Sequence, residues 1–233
     1  MSSSTASFLF PAAAIPSIAV HGSSQRFPVH RIYCIGRNYA EHAKEMGASV
    51  SRDAPVFFMK PADAIVTDGA DVPYPSATSD LHHEVELVVA LGSGGSDLSP
   101  EAAQACVFGY AVGLDLTRRD LQANAKAKSL PWDVAKGFDA SAPIGAIMRS
   151  SEFGAARQGE LRLDVNEVTR QRADIATMVL QVPEILQALS TLYTLRAGDL
   201  IFTGTPAGVA ALQRGDRFSA SFPGLPTLTG RII

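Results

Sequence analysis

The most informative stretch of this sequence is Leu81-His-His-Glu-Val-Glu-Leu-Val-Val-Ala90. It is apolar, rich in valine and followed by Gly92 and a glycine-serine turn, which is typical of a β-strand. Its continuation over residues 87–91 contains no polar residue and therefore predicts burial on both faces. Residues i and i+2 of a strand point to the same face, so Glu84 and Glu86 are expected to lie side by side.

Two adjacent carboxylates on an apolar strand repel each other and lose their hydration, so a positive group should lie between them. A hard divalent cation with oxygen ligands is the simplest candidate. The alternative is a solvated edge strand with its acidic residues on the wet face, and Glu-x-Glu alone favours that interpretation. The apolar residues that follow Glu86 favour the buried site instead.

The composition limits the classes of protein to which the chain can belong. Its 233 residues are 46% hydrophobic, which suits one large domain, or two small ones, with a sizeable core. A net charge of −3 without a basic run argues against nucleic acid or an anionic membrane as a partner. No apolar stretch is long enough to span a bilayer, and residues 1–14 lack the basic start of a signal peptide, so we expect a cytoplasmic protein. Cys34 and Cys106 stand in apolar surroundings and predict reduced core thiols.

Short β-like runs dominate the chain, and helical patterns are few. The predicted strands are Ser17–Val20, Arg31–Ile35, Pro55–Met59, the Glu84 run, Val107–Leu114, Leu161–Val165 with its return, and Asp199–Phe202. The predicted helices are Tyr39–Met46, Ser99–Ala105, Thr117–Lys128 and Val182–Leu192, with Ser99 and Thr117 as N-caps. A doubly wound α/β sheet would need longer helices alternating with the strands. We therefore expect one mostly β domain over residues 31–233, on which residues 1–30 pack as an extended arm.

A histidine and a glutamate in Gly36-Arg-Asn-Tyr-Ala-Glu-His-Ala-Lys-Glu-Met46 form the second candidate site. His42 and Glu45 are three residues apart and are therefore neighbours on one face of the predicted helix. A carboxylate beside an imidazole orients it and raises its basicity, which suits a general base that takes a proton from water. An ordinary surface pair is the more frequent meaning of this spacing, and the short helix is equally typical of a mobile lid.

Three further positions have both a functional and a structural interpretation. Asp115 ends a predicted strand, where it is placed either as a metal ligand or as the cap of the next helix. Lys136 precedes a glycine as either a substrate-binding cation or a solvated loop lysine. The loop Phe202-Thr-Gly-Thr-Pro-Ala-Gly208 offers hydroxyl and backbone N–H groups to a carboxylate, although a plain turn has the same composition.

Six separated stretches together resemble the fumarylacetoacetate hydrolase superfamily, over about residues 31–233. They are GRNYAEHAKEMG (36–47), FFMKPADAIV (57–66), HHEVELVVALG (82–92), GYAVGLDLTRRDLQ (109–122), PWDVAKGFDASAPIG (131–145) and GDLIFTGTPAGV (198–209). The chain is most similar to the small single-domain members that cleave acylpyruvates, including fumarylpyruvate hydrolases. The resemblance implies an α+β, mostly β fold: a mixed β-sandwich or β-roll with short flanking helices, usually in a homodimer.

The resemblance also implies roles for individual residues. Glu84, Glu86 and Asp115 would be the carboxylate ligands of Mg²⁺ or Mn²⁺. The other implied roles are water activation by His42 and Glu45, orientation of the substrate by Lys136 and Gln122, carboxylate binding by Thr205, and further substrate contacts by Arg37 and Lys60. For the distal carboxylate of fumarylpyruvate we expect Arg118, with Arg119 in reserve, because a guanidinium binds a carboxylate through two hydrogen bonds.

The expected activity is metal-dependent hydrolysis of the C–C bond of a 2,4-diketo acid. Fumarylpyruvate would be cleaved to fumarate and pyruvate, as in gentisate-type aromatic catabolism. Hydroxide formed by His42 and Glu45 would attack the 4-carbonyl, while the metal and Lys136 would stabilise the departing pyruvate enolate. General acylpyruvase, oxaloacetate decarboxylase and keto–enol tautomerase are the enzymatic alternatives. A non-catalytic metal- or ligand-binding domain is the alternative of another class.

Overall fold

The computed structural model of the protein describes residues 8–233. Strands take up 34% of these described residues and helices 20%, which confirms the predicted α+β, mostly β fold. The strands are β1 (Ser17–Ala19), β2 (Arg26–Pro28), β3 (Ile32–Gly36), β4 (Val56–Lys60), β5 (Ile65–Val66), β6 (Leu81–His83), β7 (Val85–Leu91), β8 (Val107–Leu114), β9 (Thr117–Arg118), β10 (Ala142–Pro143), β11 (Met148–Arg149), β12 (Glu160–Val165), β13 (Val168–Asp174), β14 (Leu200–Phe202), β15 (Ala210–Ala211), β16 (Arg217–Ser221) and β17 (Leu228–Arg231). The α-helices are α1 (Ala40–Glu45), α2 (Pro100–Ala105), α3 (Arg119–Ala127), α4 (Asp133–Lys136), α5 (Ser150–Phe153) and α6 (Val182–Leu192). Two short 3-10 helices span Ala62–Ala64 and Ile175–Thr177.

The largest sheet is mixed and contains six strands in the order β11-β8-β7-β14-β3-β4. Its one parallel pair is β14 with β3, and the other neighbours are antiparallel. A four-stranded antiparallel sheet, β13-β12-β16-β17, packs against it, and a small sheet of β15, β6 and β9 lies beside them. Within residues 8–233, every helix is too short or too polar to cross a membrane.

Both faces of β7 are buried, as its uninterrupted apolar sequence predicts. Leu87 and Val89 point into the larger hydrophobic cluster, which also contains residues of β12, β16 and α6. Val88 and Ala90 point into a second cluster on the opposite face, which is covered by the hairpin of β1 and β2. The β7 residues of both clusters are at most 1% exposed, so the central sheet is sandwiched between two apolar layers.

The prediction of one continuous strand over Leu81–Ala90 is wrong at Glu84. β6 ends at His83 and pairs with β9 and β15, whereas β7 begins at Val85 and pairs with β8 and β14. The chain therefore changes sheets at Glu84, whose carbonyl accepts a hydrogen bond from the backbone N–H of Asp115 (2.8 Å). The two glutamates still converge, but at a junction between sheets rather than on one strand face.

The predicted helix over Thr117–Lys128 begins two residues too early. Thr117 and Arg118 form β9, and the Thr117 hydroxyl donates to the carbonyl of Asp115 (3.2 Å) instead of capping a helix. Helix α3 begins at Arg119. The helix over Val182–Leu192 has the predicted bounds, and Ser99 caps α2 by accepting from the N–H of Ala102 (3.3 Å).

The segment before residue 31 is only partly described, because residues 1–7 of the predicted arm lie outside the described residues. Residues 17–28 form the β1–β2 hairpin. Ile18 and Phe27 of this hairpin are buried against the central sheet. Cys34 and Cys106 are buried free thiols, as predicted from their apolar surroundings.

Candidate active site

Three buried carboxylates meet where β7 and β8 leave the central sheet. Glu86 lies in β7 opposite Gly113, Asp115 follows the last residue of β8, and Glu84 occupies the junction between β6 and β7. One oxygen of each carboxylate lies within 4.8 Å of the others. The three residues are at most 5% exposed, so their charges cannot be offset by water and need partners in the protein or a bound cation.

Cationic side chains offset two of these carboxylates. Lys136 Nζ lies 2.7 Å from Glu84 Oε2 and 2.6 Å from Asp115 Oδ2, and Arg119 donates to the other oxygen of Glu84. Burial alone would raise the pKa of Glu84, but the charges of Lys136 and then Arg119 outweigh it and hold that pKa well below its usual range. Burial lowers the pKa of Lys136, and the Asp115 and Glu84 carboxylates outweigh that effect, so the net shift is upward.

Glu86 has weaker compensation. Its Oε2 accepts a hydrogen bond from the backbone N–H of Gly204 (2.7 Å). Burial, together with the neighbouring carboxylates of Asp115 and Glu84, raises the pKa of Glu86 well above its ordinary value. Of the three carboxylates, Glu86 is therefore the one whose negative charge most needs a further positive charge nearby.

The donor set of this acidic cluster fits a hard divalent cation. Oδ1 of Asp115 is buried and accepts no hydrogen bond, although Lys60 Nζ lies 2.8 Å away in an ion pair with unsuitable hydrogen-bond geometry. A buried carboxylate oxygen that accepts no hydrogen bond is unusual, and its lone pairs are available to a cation. Three carboxylates that converge on one point are the ligands preferred by Mg²⁺ and Mn²⁺.

His42 and Glu45 are joined on α1 as their spacing predicts. His42 Nδ1 lies 3.3 Å from Glu45 Oε2, and the Glu45 carboxylate accepts from the backbone N–H of Gly208 (3.2 Å). The buried position of His42 lowers its pKa, while the carboxylates of Glu84 and Glu45 act in the opposite direction. The net direction favours the neutral imidazole at neutral pH, which is the form that accepts a proton.

The acidic cluster and His42 open into one cleft of about 460 Å³, here called the central cleft. Eight of the predicted site residues line it: Arg37, His42, Glu84, Glu86, Asp115, Gln122, Lys136 and Thr205. Glu45 reaches the cleft through its contact with His42. The structure therefore brings together side chains that are spread over residues 37–205.

Two predicted substrate contacts do not line the cleft. Lys60 is 2% exposed, and its ammonium donates to the carbonyls of Leu116 (3.1 Å) and Lys136 (2.5 Å). Arg118 donates to the carbonyl of Val134 (3.3 Å), and its guanidinium lies 4.4 Å from the ring centroid of Phe138. Lys60 nevertheless lies beside the cleft, because its Nζ is 2.8 Å from Oδ1 of Asp115. Backbone and aromatic partners hold Arg118 outside the cleft lining, and direct substrate contacts by Lys60 and Arg118 stay predictions.

Some residues that line the cleft were not predicted as site residues from the sequence. Arg119, named only in reserve, lines the cleft together with Lys126 and Trp132. Arg119, Gln122 and Lys126 are spaced by three and four residues, which places them on one face of α3. The same spacing falls within the helix predicted over Thr117–Lys128 and could have identified the set.

The loop after β14 is built around a glycine. Gly204 has φ +93°, and a Cβ at this position would come within 2.7 Å of the Cβ of Asn38, so a side chain is excluded for two reasons. The adjacent Thr205 hydroxyl donates to the carbonyl of Val85 (2.9 Å) and accepts from Nε2 of Gln171 (2.8 Å). Gln171, on β13 of the neighbouring sheet, was not anticipated from the sequence because its partners are distant along the chain.

Residues 31–233 match the family described as fumarylacetoacetate (FAA) hydrolase, C-terminal. The chain belongs to the fumarylacetoacetate hydrolase family. The predicted resemblance is confirmed, and with it the fold type. A similar solved structure of this fold is fumarylpyruvate hydrolase from Pseudomonas aeruginosa in complex with Mn²⁺ and pyruvate. It is 47% identical, has a TM-score of 0.95, and the match covers 97% of this chain and 99% of that one.

Curated relatives within the fumarylacetoacetate hydrolase family have other activities. A mitochondrial oxaloacetate tautomerase of Arabidopsis thaliana is 41% identical over 195 residues, covering 84% of this chain and 87% of the relative. A mitochondrial oxaloacetate decarboxylase of Dictyostelium discoideum is 39% identical over 198 residues, covering 84% and 90%. The chain is an enzyme of this family, and the Mn²⁺ of the Pseudomonas structure together with the buried acidic cluster confirms the predicted divalent cation.

Proposed function

We propose that this enzyme hydrolyses the C3–C4 bond of a 2,4-diketo acid, with fumarylpyruvate as its substrate. The observation that carries the proposal is the neutral, carboxylate-oriented His42 in the same cleft as the acidic cluster. Hydrolysis requires an activated water beside a metal site, and this pairing supplies both. Similarity to the Pseudomonas fumarylpyruvate hydrolase supports the same reaction.

The acidic cluster of Glu84, Glu86 and Asp115 would hold a Mg²⁺ or Mn²⁺ ion at the deep end of the cleft. When bound, such an ion supplies Lewis-acid stabilisation to the oxygens of the pyruvate half of the substrate. Lys136 lies between two of these carboxylates and adds a fixed positive charge beside them. The proposed role of Lys136 is therefore to stabilise negative charge that develops on the pyruvate half.

Two residues of α1, His42 and Glu45, would carry out the proton transfers. His42 takes a proton from water, and Glu45 holds the opposite ring nitrogen and stabilises the imidazolium that forms. The hydroxide adds to the C4 carbonyl, the C3–C4 bond breaks, and its electron pair forms the enolate of pyruvate. Protonation at C3 by the imidazolium then gives pyruvate, and the acyl half leaves as fumarate. Thr205 and Gln122, on two sides of the cleft, would orient the substrate.

Oxaloacetate tautomerase or decarboxylase is the second candidate, favoured by the relatives from Arabidopsis and Dictyostelium. Decarboxylation needs charge stabilisation of the enolate but no attacking water. Tautomerisation needs a base that removes a proton from the carbon beside the keto group, but it likewise needs no hydroxide. The three reactions therefore depend differently on His42.

Activity should be measured on fumarylpyruvate, acetylpyruvate and oxaloacetate with Mg²⁺ or Mn²⁺. His42→Ala should reduce diketo-acid hydrolysis by about a hundred- to ten-thousandfold and spare most oxaloacetate decarboxylation. Glu84→Ala should remove both activities. His21→Ala, which changes an exposed histidine, is the matched control and should behave as the unmodified enzyme.

Turnover of oxaloacetate alone, with no cleavage of either diketo acid, would replace the hydrolase proposal by the second candidate. The absence of all three activities with either metal would leave a binding domain. The homodimer, the cytoplasmic location, and the division into an arm over residues 1–30 and a catalytic domain over residues 31–233 stay predictions.

A further inference from the structure

Two cations of the central cleft have no anionic partner. Arg37 and Lys126 line the cleft and are half-buried, whereas Glu86 and Asp115 at its deep end are at most 1% exposed. Among residues 8–233, neither cation forms an ion pair or a side-chain hydrogen bond. This contrasts with Arg119 and Lys136, whose charges are directed to Glu84.

Arg37 and Lys126 both lie beside an aromatic surface that lines the cleft. Lys126 Nζ lies 5.3 Å from the ring centroid of Trp132. A Cβ at Gly36, the residue before Arg37, would lie 3.5 Å from Cζ3 of the same ring. Phe58 extends the surface, with its ring centroid 5.9 Å from that of Trp132.

The backbone of Arg37 is held in a costly conformation. Its φ is +60°, in the left-handed region that non-glycine residues seldom adopt. The next residue, Asn38, holds the turn in place: its side chain donates to the carbonyls of Leu180 (3.0 Å) and Thr203 (2.9 Å) and accepts from the N–H of Leu180 (2.8 Å). Backbone strain that the surroundings maintain in this way is concentrated at binding sites.

The charge balance of the cleft favours an anionic ligand with more than one negative group. Four cationic side chains line the cleft against three carboxylates, and a bound divalent cation increases the positive excess. Burial, followed by the charges of Arg119 and Arg37, lowers the pKa of Lys126, and the Glu84 carboxylate offsets this only in part. One carboxylate of the substrate would bind at the acidic cluster. Arg37 and Lys126, the cations of the outer wall, would then be available to bind a second carboxylate.

We infer that Lys126 and Arg37 bind the distal carboxylate of a dicarboxylic 2-oxo acid, and that Trp132 and Phe58 contact the carbon chain between its two ends. The inference rests on the proposed function for the orientation of the substrate, with its 2-oxo acid end at the acidic cluster. It replaces Arg118 as the determinant of specificity for fumarylpyruvate over acetylpyruvate. Because the cations are at the outer wall, they select the far end of the substrate and take no part in bond cleavage.

Binding of two matched ligands tests this inference without any turnover. 2-Oxoheptanedioate has the chain length and both carboxylates of fumarylpyruvate but lacks its 4-oxo group and its C5–C6 double bond. 2-Oxoheptanoate lacks the distal carboxylate as well. Trp132 is the only tryptophan of the chain, so its fluorescence reports on ligand binding at this wall. Titrations of the Mg²⁺-loaded enzyme give the affinity for each ligand.

The dicarboxylate should bind the unmodified enzyme about tenfold to a hundredfold more tightly, because its extra hydrogen bonds are to charged groups. Lys126→Met and Arg37→Gln should each reduce this preference several-fold, and affinity for 2-oxoheptanoate should fall much less. Lys128→Met changes an exposed lysine two residues along the same helix and should keep the preference. Circular dichroism of each variant checks that the fold is intact.

Three results would overturn the inference: no preference in the unmodified enzyme, a preference that survives in both variants, or a preference that is lost in Arg118→Ala instead. Failure of the proposed function has a different signature. If the unmodified enzyme does not cleave fumarylpyruvate but keeps the Lys126-dependent preference, the hydrolase proposal fails and the dicarboxylate subsite stands.

Discussion

Glu84 and Glu86 are the same residue type, two positions apart, and their carboxylates have opposite environments. Glu84 contacts two cations, Lys136 and Arg119, and its pKa is lowered. Glu86 has one backbone donor and faces two other carboxylates, and its pKa is raised. The difference arises because the cations approach from α3 and α4 on the side of Glu84 only. The acidic cluster is thus an asymmetric site, with one member already neutralised by the protein.

The pH dependence of hydrolysis should report on His42. Burial lowers the pKa of His42 from its ordinary value of 6.5, so the imidazole stays neutral at a pH where a free histidine would be half protonated. We expect kcat/KM for a diketo acid to level off towards high pH and to have an acidic limb centred below pH 6.5. The measurement is a pH–rate profile of the Mg²⁺ enzyme.

The same profile for His42→Ala is the control, since its residual activity should lack that acidic limb. An acidic limb centred above pH 6.5 would contradict the assignment of neutral, buried His42 as the base. If the limb persists unchanged in His42→Ala, another group is responsible for it.

Elements from three sheets meet at the site, and one side chain connects them. Gln171 of β13 is 1% exposed, and its Oε1 accepts from the N–H of Val85 (3.0 Å) and lies 2.9 Å from His83 Nδ1. Its Nε2 donates to the hydroxyl of Thr205 and to the carbonyl of Pro206 (2.9 Å). Gln171 therefore fixes the β6–β7 junction, where Glu84 lies, against the loop that carries Thr205.

Gln171→Leu should destabilise the protein and weaken substrate binding together. The change keeps the volume of the side chain but leaves buried polar groups of the junction and the loop without partners, which costs about 2–4 kcal/mol in the free energy of unfolding. The loop should also lose its position, so we expect a higher KM with a smaller change in kcat. Urea unfolding and steady-state kinetics measure the two effects.

Gln187→Leu is the matched control, because Gln187 lies on the exposed side of α6. It should change neither quantity appreciably. A stability loss in Gln171→Leu with an unchanged KM would show that the residue supports the fold but does not position Thr205.

For the whole molecule, the central sheet places a charged site at the end of an apolar sandwich. Both faces of β7 are covered, so the carboxylates at its start have little access to water. Stability of the protein and occupation of the acidic cluster are therefore linked, because a ligand that binds only the folded state stabilises it.

Divalent metal should consequently raise the melting temperature of the unmodified protein. Whether Glu86→Gln or the unmodified protein melts at the higher temperature should depend on whether metal is present. Without metal, the raised pKa of Glu86 means that its charge opposes folding at neutral pH, so Glu86→Gln should melt higher than the unmodified protein in EDTA. With excess Mg²⁺ the unmodified protein should melt higher, because it keeps all three carboxylate ligands. Calorimetry in the two buffers makes the comparison.

Glu101→Gln serves as the control, since Glu101 is exposed on α2 and its metal-induced shift should equal that of the unmodified protein. An equal metal-induced rise in Glu86→Gln would remove Glu86 from the ligand set.

Much of the fold and part of the site could be predicted from the sequence, because the deciding signals are local. The strand at Val107–Leu114 and the helix at Val182–Leu192 have the predicted bounds, since continuous apolar runs and helical spacing are properties of neighbouring residues. Glu84 and Glu86 were also recognisable as a candidate cation site, because two carboxylates on an apolar strand need a positive partner; the family resemblance added Asp115 to the set. These features depend on few contacts with distant parts of the chain.

Tertiary structure alone decided the direction of the remaining side chains. Arg118 of β9 pairs with Leu81 of β6, which is a contact between distant parts of the chain. Helix α3 starts at the next residue, so Arg119 points into the cleft and Arg118 points away from it. Arg118 therefore has the side-chain direction of a strand residue, whereas Arg119 shares one face of α3 with Gln122 and Lys126. Lys60 is likewise buried by carbonyls from Leu116 and Lys136. The sequence alone determined which residue types were available to the site; long-range pairing, which no local pattern encodes, decided which of them line it.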